Sequence, residues 1–202
     1  VTDSYAKALS GKEIWLKNIG ISEKSKEHVR GIFYEDHYEW EADQSPRIKE
    51  EERIAYAIHV RGFTKDTYSK VKNKGTFQGV IEKIPYLKDL GINQIQCMPV
   101  YEFEEVGMRV NYWGYGPGYY FAPKSAYAKD GDGVKGLKDL VKYCHKAGIE
   151  VVLEMPFSKG VSGLMVTDCL RNYVMEYHVD GFRFDLMGLH DTETMNEIRA
   201  AL

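Results

Sequence analysis

The 202-residue chain reads as an α/β protein, a parallel sheet with helices packed over it. Three observations predict this. Short apolar runs alternate with stretches of helical period, and the strand-then-helix unit recurs four times between Ile54 and Leu202. Glycines stand where helices should stop, at Gly91 and Gly148. The last strand-like run, Val179 to Gly188, ends in two opposite charges, Arg183 and Asp185. The C-terminal ends of parallel strands are where α/β folds place their chemistry.

Residues 1–52 are polar and only weakly periodic, and they read as an arm or linker. Tyr38-Glu39-Trp40, set between charged residues, reads as an edge strand. Pro46 and the charged run Lys49-Glu50-Glu51-Glu52 mark a boundary. A segment this short cannot be a complete β-sandwich of about 100 residues, so it should pack as an extended arm on the rest of the chain. Residues 53–202 form the α/β part.

The first strand is read over Ile54–Arg61 as a buried strand. Tyr56, Ile58 and Val60 would share one face, and His59 and Arg61 the other. His59 reads as a hydrogen-bonded core or rim residue. Thr76 should cap a helix whose stripe is Phe77, Val80, Ile81, Ile84, Leu87 and Leu90, bent at Pro85. The second strand spans Ile92 to Val100, and a long loop runs from Tyr101 to Ala128. Leu137, Leu140, Val141 and Cys144 form the next helical stripe. The third strand spans Ile149 to Phe157. A helix from Ser162 to Tyr177 buries Val166, Leu170, Tyr173, Val174 and Tyr177. After the fourth strand, Asp191 or Thr192 caps a last helix through Met195, Ile198 and Leu202. A full (β/α)8 barrel needs eight such units in about 250 residues. The prediction is therefore a partial (β/α)8 TIM-type barrel of four units behind a short irregular arm.

Composition excludes several functions. The net charge is only −3, which argues against a nucleic-acid or membrane-surface partner. No apolar run approaches the roughly 20 residues a membrane helix needs, and no secretory signal opens the chain. Cys97, Cys144 and Cys169 have no metal-ligand spacing and read as reduced packing residues, which suggests a cytoplasmic setting. Fifteen tyrosines and three tryptophans supply flat surfaces suited either to sugar rings or to a core.

In the fourth strand, period two places Phe182 and Phe184 on one face and Gly181, Arg183 and Asp185 on the other. Two charges at a strand end are costly unless they pair or line a site. An Arg183–Asp185 ion pair is the structural reading and a reactive carboxylate the functional one. Tyr177-His178, the run Val179–Gly188, His190-Asp191 and Met195-Asn196 together resemble the fourth-strand motif of the α-amylase superfamily of glycoside hydrolases. The resemblance is strongest to the debranching branch, the type I pullulanases and isoamylase-like enzymes. It implies that Asp185 is a nucleophile and that Arg183 orients it and keeps it ionised. Val1 to Ala8 resembles the linker ahead of the barrel in such enzymes, and Ile54–Arg61 with Gly62-Phe63-Thr64 resembles their first barrel strand.

A second stretch, Asn111-Tyr112-Trp113-Gly114-Tyr115-Gly116-Pro117-Gly118-Tyr119-Tyr120-Phe121-Ala122-Pro123, is a rigid aromatic loop. It resembles the family's loop after the second strand. There the tyrosine matching Tyr115 stacks on the sugar being cleaved, with Trp113 and Tyr112 beside it. Where pullulanases next have aspartate, this chain has Gly116. The third strand departs from the pattern: Glu154 replaces an aspartate, Ser158 an asparagine, and Lys159 a sugar-binding histidine. A lysine cannot reproduce neutral imidazole chemistry.

The resemblance implies retaining hydrolysis of α-1,6 linkages in α-glucans such as pullulan or glycogen, with two carboxylates about 5–5.5 Å apart. The family's acid lies on a fifth strand that this chain lacks, and Glu154 is the substitute to test. No organic cofactor or metal is implied, and calcium is in doubt without the asparagine. Two alternatives stand beside hydrolysis. One is a non-catalytic half-barrel that binds α-glucan, or pairs with a second copy or a complementary half through its open edges. The other is a glucanotransferase such as a branching enzyme.

Overall fold

The computed structural model describes residues 3–16, 29–106 and 109–202. Val1 and Thr2 of the linker-like stretch lie outside the described residues. The arm opens with a small antiparallel pair, β1 (Leu9–Ser10) and β2 (Arg30–Gly31). The barrel part begins with β3 (Ala55–Ile58), followed by α1 (Val60–Lys65), α2 (Phe77–Glu82) and α3 (Ile84–Asp89). Next come β4 (Gln94–Cys97), a hairpin of β5 (Tyr101–Phe103) and β6 (Gly118–Pro123), and α4 (Gly133–Lys146). The chain continues through β7 (Glu150–Glu154), α5 (Gly163–Tyr177), β8 (Gly181–Arg183) and α6 (Thr192–Ala201). The main sheet is wholly parallel, in the order β3-β4-β7-β8, as the strand-helix rhythm predicts.

Burial follows position in the sheet. All five residues of the inner strand β7 are buried, whereas Ala55, Tyr56 and Ala57 of β3 are exposed. The expected buried first strand is thus an edge strand. Tyr56 is 38% exposed because no strand covers its outer side among the described residues. It also stops early. The His59 side chain accepts from the Gly62 N–H and starts α1 at Val60, so Val60 and Arg61 are helical.

Thr76 caps α2 by accepting from the Gly79 N–H, as read from the sequence. The bend expected at Pro85 is a break. The helix ends at Glu82, and a second helix restarts with the proline in its first turn, where its missing N–H costs nothing. Gly91 and Gly148 end their helices at φ +77° and +70°, backbone that disfavours side chains. The α4 stripe packs on the sheet and on α2. A Cβ on Gly136 would sit 2.9 Å from the Phe77 ring, so the glycine sets how closely α4 approaches α2. Asp191 caps α6 by accepting from the Thr194 N–H. The three cysteines are free and buried.

The stretch Tyr101–Ala128 is not simply a loop. Tyr101–Phe103 pairs antiparallel with Gly118–Pro123, and the buried Tyr101, Phe103, Tyr120 and Phe121 hold this hairpin on the core. Tyr38-Glu39-Trp40 forms no strand, because the surface it meets is a helix, which offers side chains and no free ladder. The Glu39 carbonyl accepts from Lys142 Nζ at 2.8 Å, Tyr38 donates to Asp139 at 2.9 Å, and Trp40 stacks on His178 with centroids 3.9 Å apart. Asp36 pairs with Lys138, and Glu41 with Lys142 and Lys146.

The arm ends its run at the N-terminal end of the sheet. His145 places Nδ1 3.0 Å from Asp43 and Nε2 2.9 Å from Asp180. Asp180 also accepts from the Val151 N–H and from the Ser45 hydroxyl, and Asp43 meets His178 Nδ1 at 2.8 Å. No helix of the described residues is long and apolar enough to cross a membrane.

Candidate active site

At the opposite, C-terminal end of the sheet, β7 ends in Glu154 and β8 in Arg183, and the two residues are partners in the parallel ladder. Their side chains meet: Arg183 Nη1 donates to Glu154 Oε1 at 2.5 Å. The Tyr115 hydroxyl donates to the same oxygen at 2.8 Å. Glu154 is buried, while the Arg183 side chain is 50% exposed. Burial, the bond to Glu154 and the charge of Asp185 push the Tyr115 phenol up to about 12. The Glu154 charge likewise raises Arg183 above its usual value, with a smaller contribution from Asp185. Asp185 is half-buried in the turn after β8, beside Leu186 at φ +52°.

The structural alternative, an Arg183–Asp185 ion pair, is not the pairing that the structure makes. Among the described residues the ion-pair partner of Arg183 is Glu154, and Asp185 acts on it only through space. Glu154 lies opposite Arg183 in register, so their side chains meet across the ladder. Asp185 lies beyond the last paired residue, where strand alternation no longer decides its direction. Glu154 is accordingly an acceptor for two donors, a poor arrangement for handing a proton to a leaving oxygen.

The aromatic loop stands over this group. Trp113 and Tyr115 are 53% and 38% exposed. Tyr112 is different: His59 covers one face of its ring, with centroids 4.4 Å apart, and Trp15 meets it edge-on at 6.0 Å. It buttresses Trp113, 5.4 Å away at a right angle. His59 Nδ1 accepts from Gly62, so Nε2 carries the proton and donates to the Tyr112 carbonyl at 2.8 Å. Burial holds His59 below its ordinary value and hence neutral. The core role read from the sequence therefore holds.

Two further contacts make the loop rigid. The buried Tyr101 hydroxyl lies 2.9 and 2.7 Å from the carbonyls of Gly114 and Gly116. Asn111 Oδ1 accepts from the Gly114 N–H at 3.0 Å. Gly114 has φ +88°, and a Cβ there would lie 2.5 Å from the Phe103 ring. Ser158 bonds Tyr120 through both its N–H and its hydroxyl, each at 3.0 Å, and Lys159 is exposed. Among the described residues, no group of three or more His, Cys, Asp or Glu is arranged to hold a metal ion.

Sequence reasoning missed two buried charge clusters, one around Lys124 and one around His145. A lysine inside the apolar run Phe121-Ala122-Pro123-Lys124 was the available signal for the first. The second had none, since Asp43 and His145 are 102 positions apart.

Residues 57–158 match the family model for the α-amylase catalytic domain. Isoamylase 3 of rice (Oryza sativa subsp. japonica) is 32% identical over 249 aligned positions, covering 91% of this chain and 31% of the relative. That alignment is longer than this chain, so the relative carries residues with no counterpart here. A glycogen operon protein GlgX homolog of Haemophilus influenzae is 28% identical, covering 92% of this chain and 37% of the relative. Among solved structures, the catalytic module of the glycogen-degrading pneumococcal virulence factor SpuA superposes over all of this chain and 37% of its own. Its TM-score is 0.79 at 25% identity. A pullulanase from Paenibacillus barengoltzii, complexed with maltohexaose and α-cyclodextrin, gives a TM-score of 0.71 at 25% identity over 80% of this chain and 35% of that one. The chain spans about a third of the length of the curated relatives it matches.

Proposed function

The chain belongs to the α-amylase family by its match to that catalytic domain, and from this premise we propose that it supplies the nucleophile half of an α-glucan debranching barrel. One observation carries the reading. A half-buried carboxylate, Asp185, stands at the C-terminal end of the sheet just past Arg183, whose partner Glu154 also accepts from the Tyr115 hydroxyl. In the retaining scheme Asp185 attacks the anomeric carbon of the branch residue and forms a glycosyl-enzyme ester. The leaving oxygen takes a proton from an acid, and water then cleaves the ester. Glu154 holds Arg183 and Tyr115 in place, so the acid comes from outside these four strands. Trp113 and Tyr115 offer ring faces for stacking on glucose units.

An α-maltosyl fluoride tests this directly, because fluoride leaves without a proton donor. The chain should release fluoride slowly, Asp185→Asn should abolish the release, and pullulan should remain uncut. Fluoride release that survives in Asp185→Asn overturns the nucleophile assignment. No release by either protein removes the catalytic reading and leaves α-glucan binding as the function. Binding is the second reading, and the exposed Trp113 and Tyr115 favour it. Association is proposed with it. The open β3 edge exposes Ile54 and Tyr56, and Leu186, Met187 and Leu189 are exposed just past β8 at the other edge. A second copy or a complementary half-barrel would cover both. Sedimentation showing only monomer at micromolar concentration would refute self-association.

A further inference from the structure

The base of the aromatic loop is built around a lysine with no access to solvent. The Lys124 side chain is 0% exposed. Its ammonium lies 2.5 Å from Glu105 Oε1, 3.1 Å from the Phe103 carbonyl and 3.3 Å from Glu102 Oε2. The Phe103 ring centroid is 4.0 Å away, with Trp15 and Tyr127 beyond it at 5.5 and 5.9 Å. Both carboxylates are buried, and each uses its second oxygen on a backbone amide. Glu102 Oε1 accepts from Ser125 N–H at 2.6 Å, and Glu105 Oε2 from Leu16 N–H at 2.9 Å.

Two buried carboxylates and a carbonyl converging on one point are the oxygen set that a hard cation takes. The cation here is part of the chain. Burial pushes the Glu102 carboxyl up, and the Lys124 charge is the first influence that opposes the rise. The cluster is also wired to the loop. The Glu105 carbonyl accepts from Asn111 N–H at 2.9 Å, where the aromatic motif begins. Phe103, under the ammonium, is the ring that packs against Gly114.

We propose that Glu102, Glu105 and the Phe103 carbonyl form a cation site filled by the Lys124 ammonium, which does the work of a structural metal ion in fixing the loop that carries Trp113 and Tyr115. Lys124 is a positioning residue and touches no substrate. Once its side chain is cut back, the site should take a small alkylammonium or a hard divalent cation such as calcium. The proposal rests on this geometry alone and not on the glucan reading.

The test compares Lys124→Ala with Lys124→Met by thermal unfolding and by hydrogen exchange of the Leu16 and Asn111 amides. Both variants should melt lower and exchange those amides at least about tenfold faster than the native chain. Butylammonium or calcium should restore Lys124→Ala toward native values. Neither should restore Lys124→Met, whose apolar chain fills the space. A Lys124→Met variant as protected as the native chain overturns the proposal, and so does a Lys124→Ala variant that no cation rescues. If both variants fail to fold, Glu105→Gln keeps the shape and removes one counter-charge. Unchanged Asn111 exchange in that variant overturns the proposal, and exchange accelerated tenfold supports it.

Discussion

The two ends of the sheet both place carboxylates beside cations, and they do it differently. At the N-terminal end, His145 lies between Asp43 and Asp180, all three side chains are buried, and Ser45, His178 and Val151 take up further lone pairs. At the C-terminal end, Glu154 is buried and doubly bonded, but Arg183 is half exposed and Asp185 is left to act through space. The closed network joins the arm to the sheet. The open one leaves Asp185 half-buried in the turn after β8. Charge pairs of similar composition thus differ in which groups are left accessible, and it is at the open end that the proposed chemistry lies.

The sharpest way to break the contrast is to remove the cation of each network. His145→Leu leaves two buried carboxylates facing each other and should cost about 3–5 kcal/mol, read from urea unfolding. Arg183→Leu should cost only about 1 kcal/mol, since its partner keeps the Tyr115 bond and the guanidinium is half in water. Equal losses at the two ends would erase the distinction.

The closed network should also respond to pH. Burial alone would lower His145, but the bonds and charges of Asp180 and Asp43 outweigh it and raise the folded value above the usual 6.5. The groups facing it are Asp43 from the arm, Asp180 before β8 and, through Asp43, His178 at the end of α5. A raised folded value means the contribution is full below about pH 6.5 and is lost as pH climbs through the folded value. The native chain should therefore lose urea resistance across that window relative to His145→Leu. A difference between the two that stays constant from pH 6 to 9 contradicts the charged clasp.

Two smaller effects sharpen the open end. Tyr115→Phe removes one hydrogen bond to Glu154 and should cost about 0.5–1.5 kcal/mol, while the phenol titrating near 12 disappears from the ultraviolet titration. Asp185→Asn should change stability by less than about 0.5 kcal/mol while abolishing fluoride release. A large stability loss there would mean that Asp185 is structural.

Local signals in the sequence were legible and distant ones were not. Thr76 and Asp191 announced their helices because a cap depends on the next three residues. The order of strands followed from the alternation of periods. Strand ends did not, because the sequence around His59 suits a strand as well as the helix cap that its ring forms. The hairpin within Tyr101–Ala128 escaped because its strands flank a loop rich in glycine and aromatics. At the candidate site, the motif pointed to Arg183, Asp185 and Tyr115, but the partner of Arg183 depends on register between β7 and β8, which no single segment encodes.

The arm has a consequence for the order of assembly. Its last anchors lie far along the chain: Asp43 meets His178 and Ser45 meets Asp180, each 135 positions away. The arm is made before its seat, which is incomplete until α5 and the start of β8 follow. Closing so long a loop carries an entropic cost that is met only when those contacts form. The arm therefore settles only after the residues that seat it, some 135 positions further along, are in place.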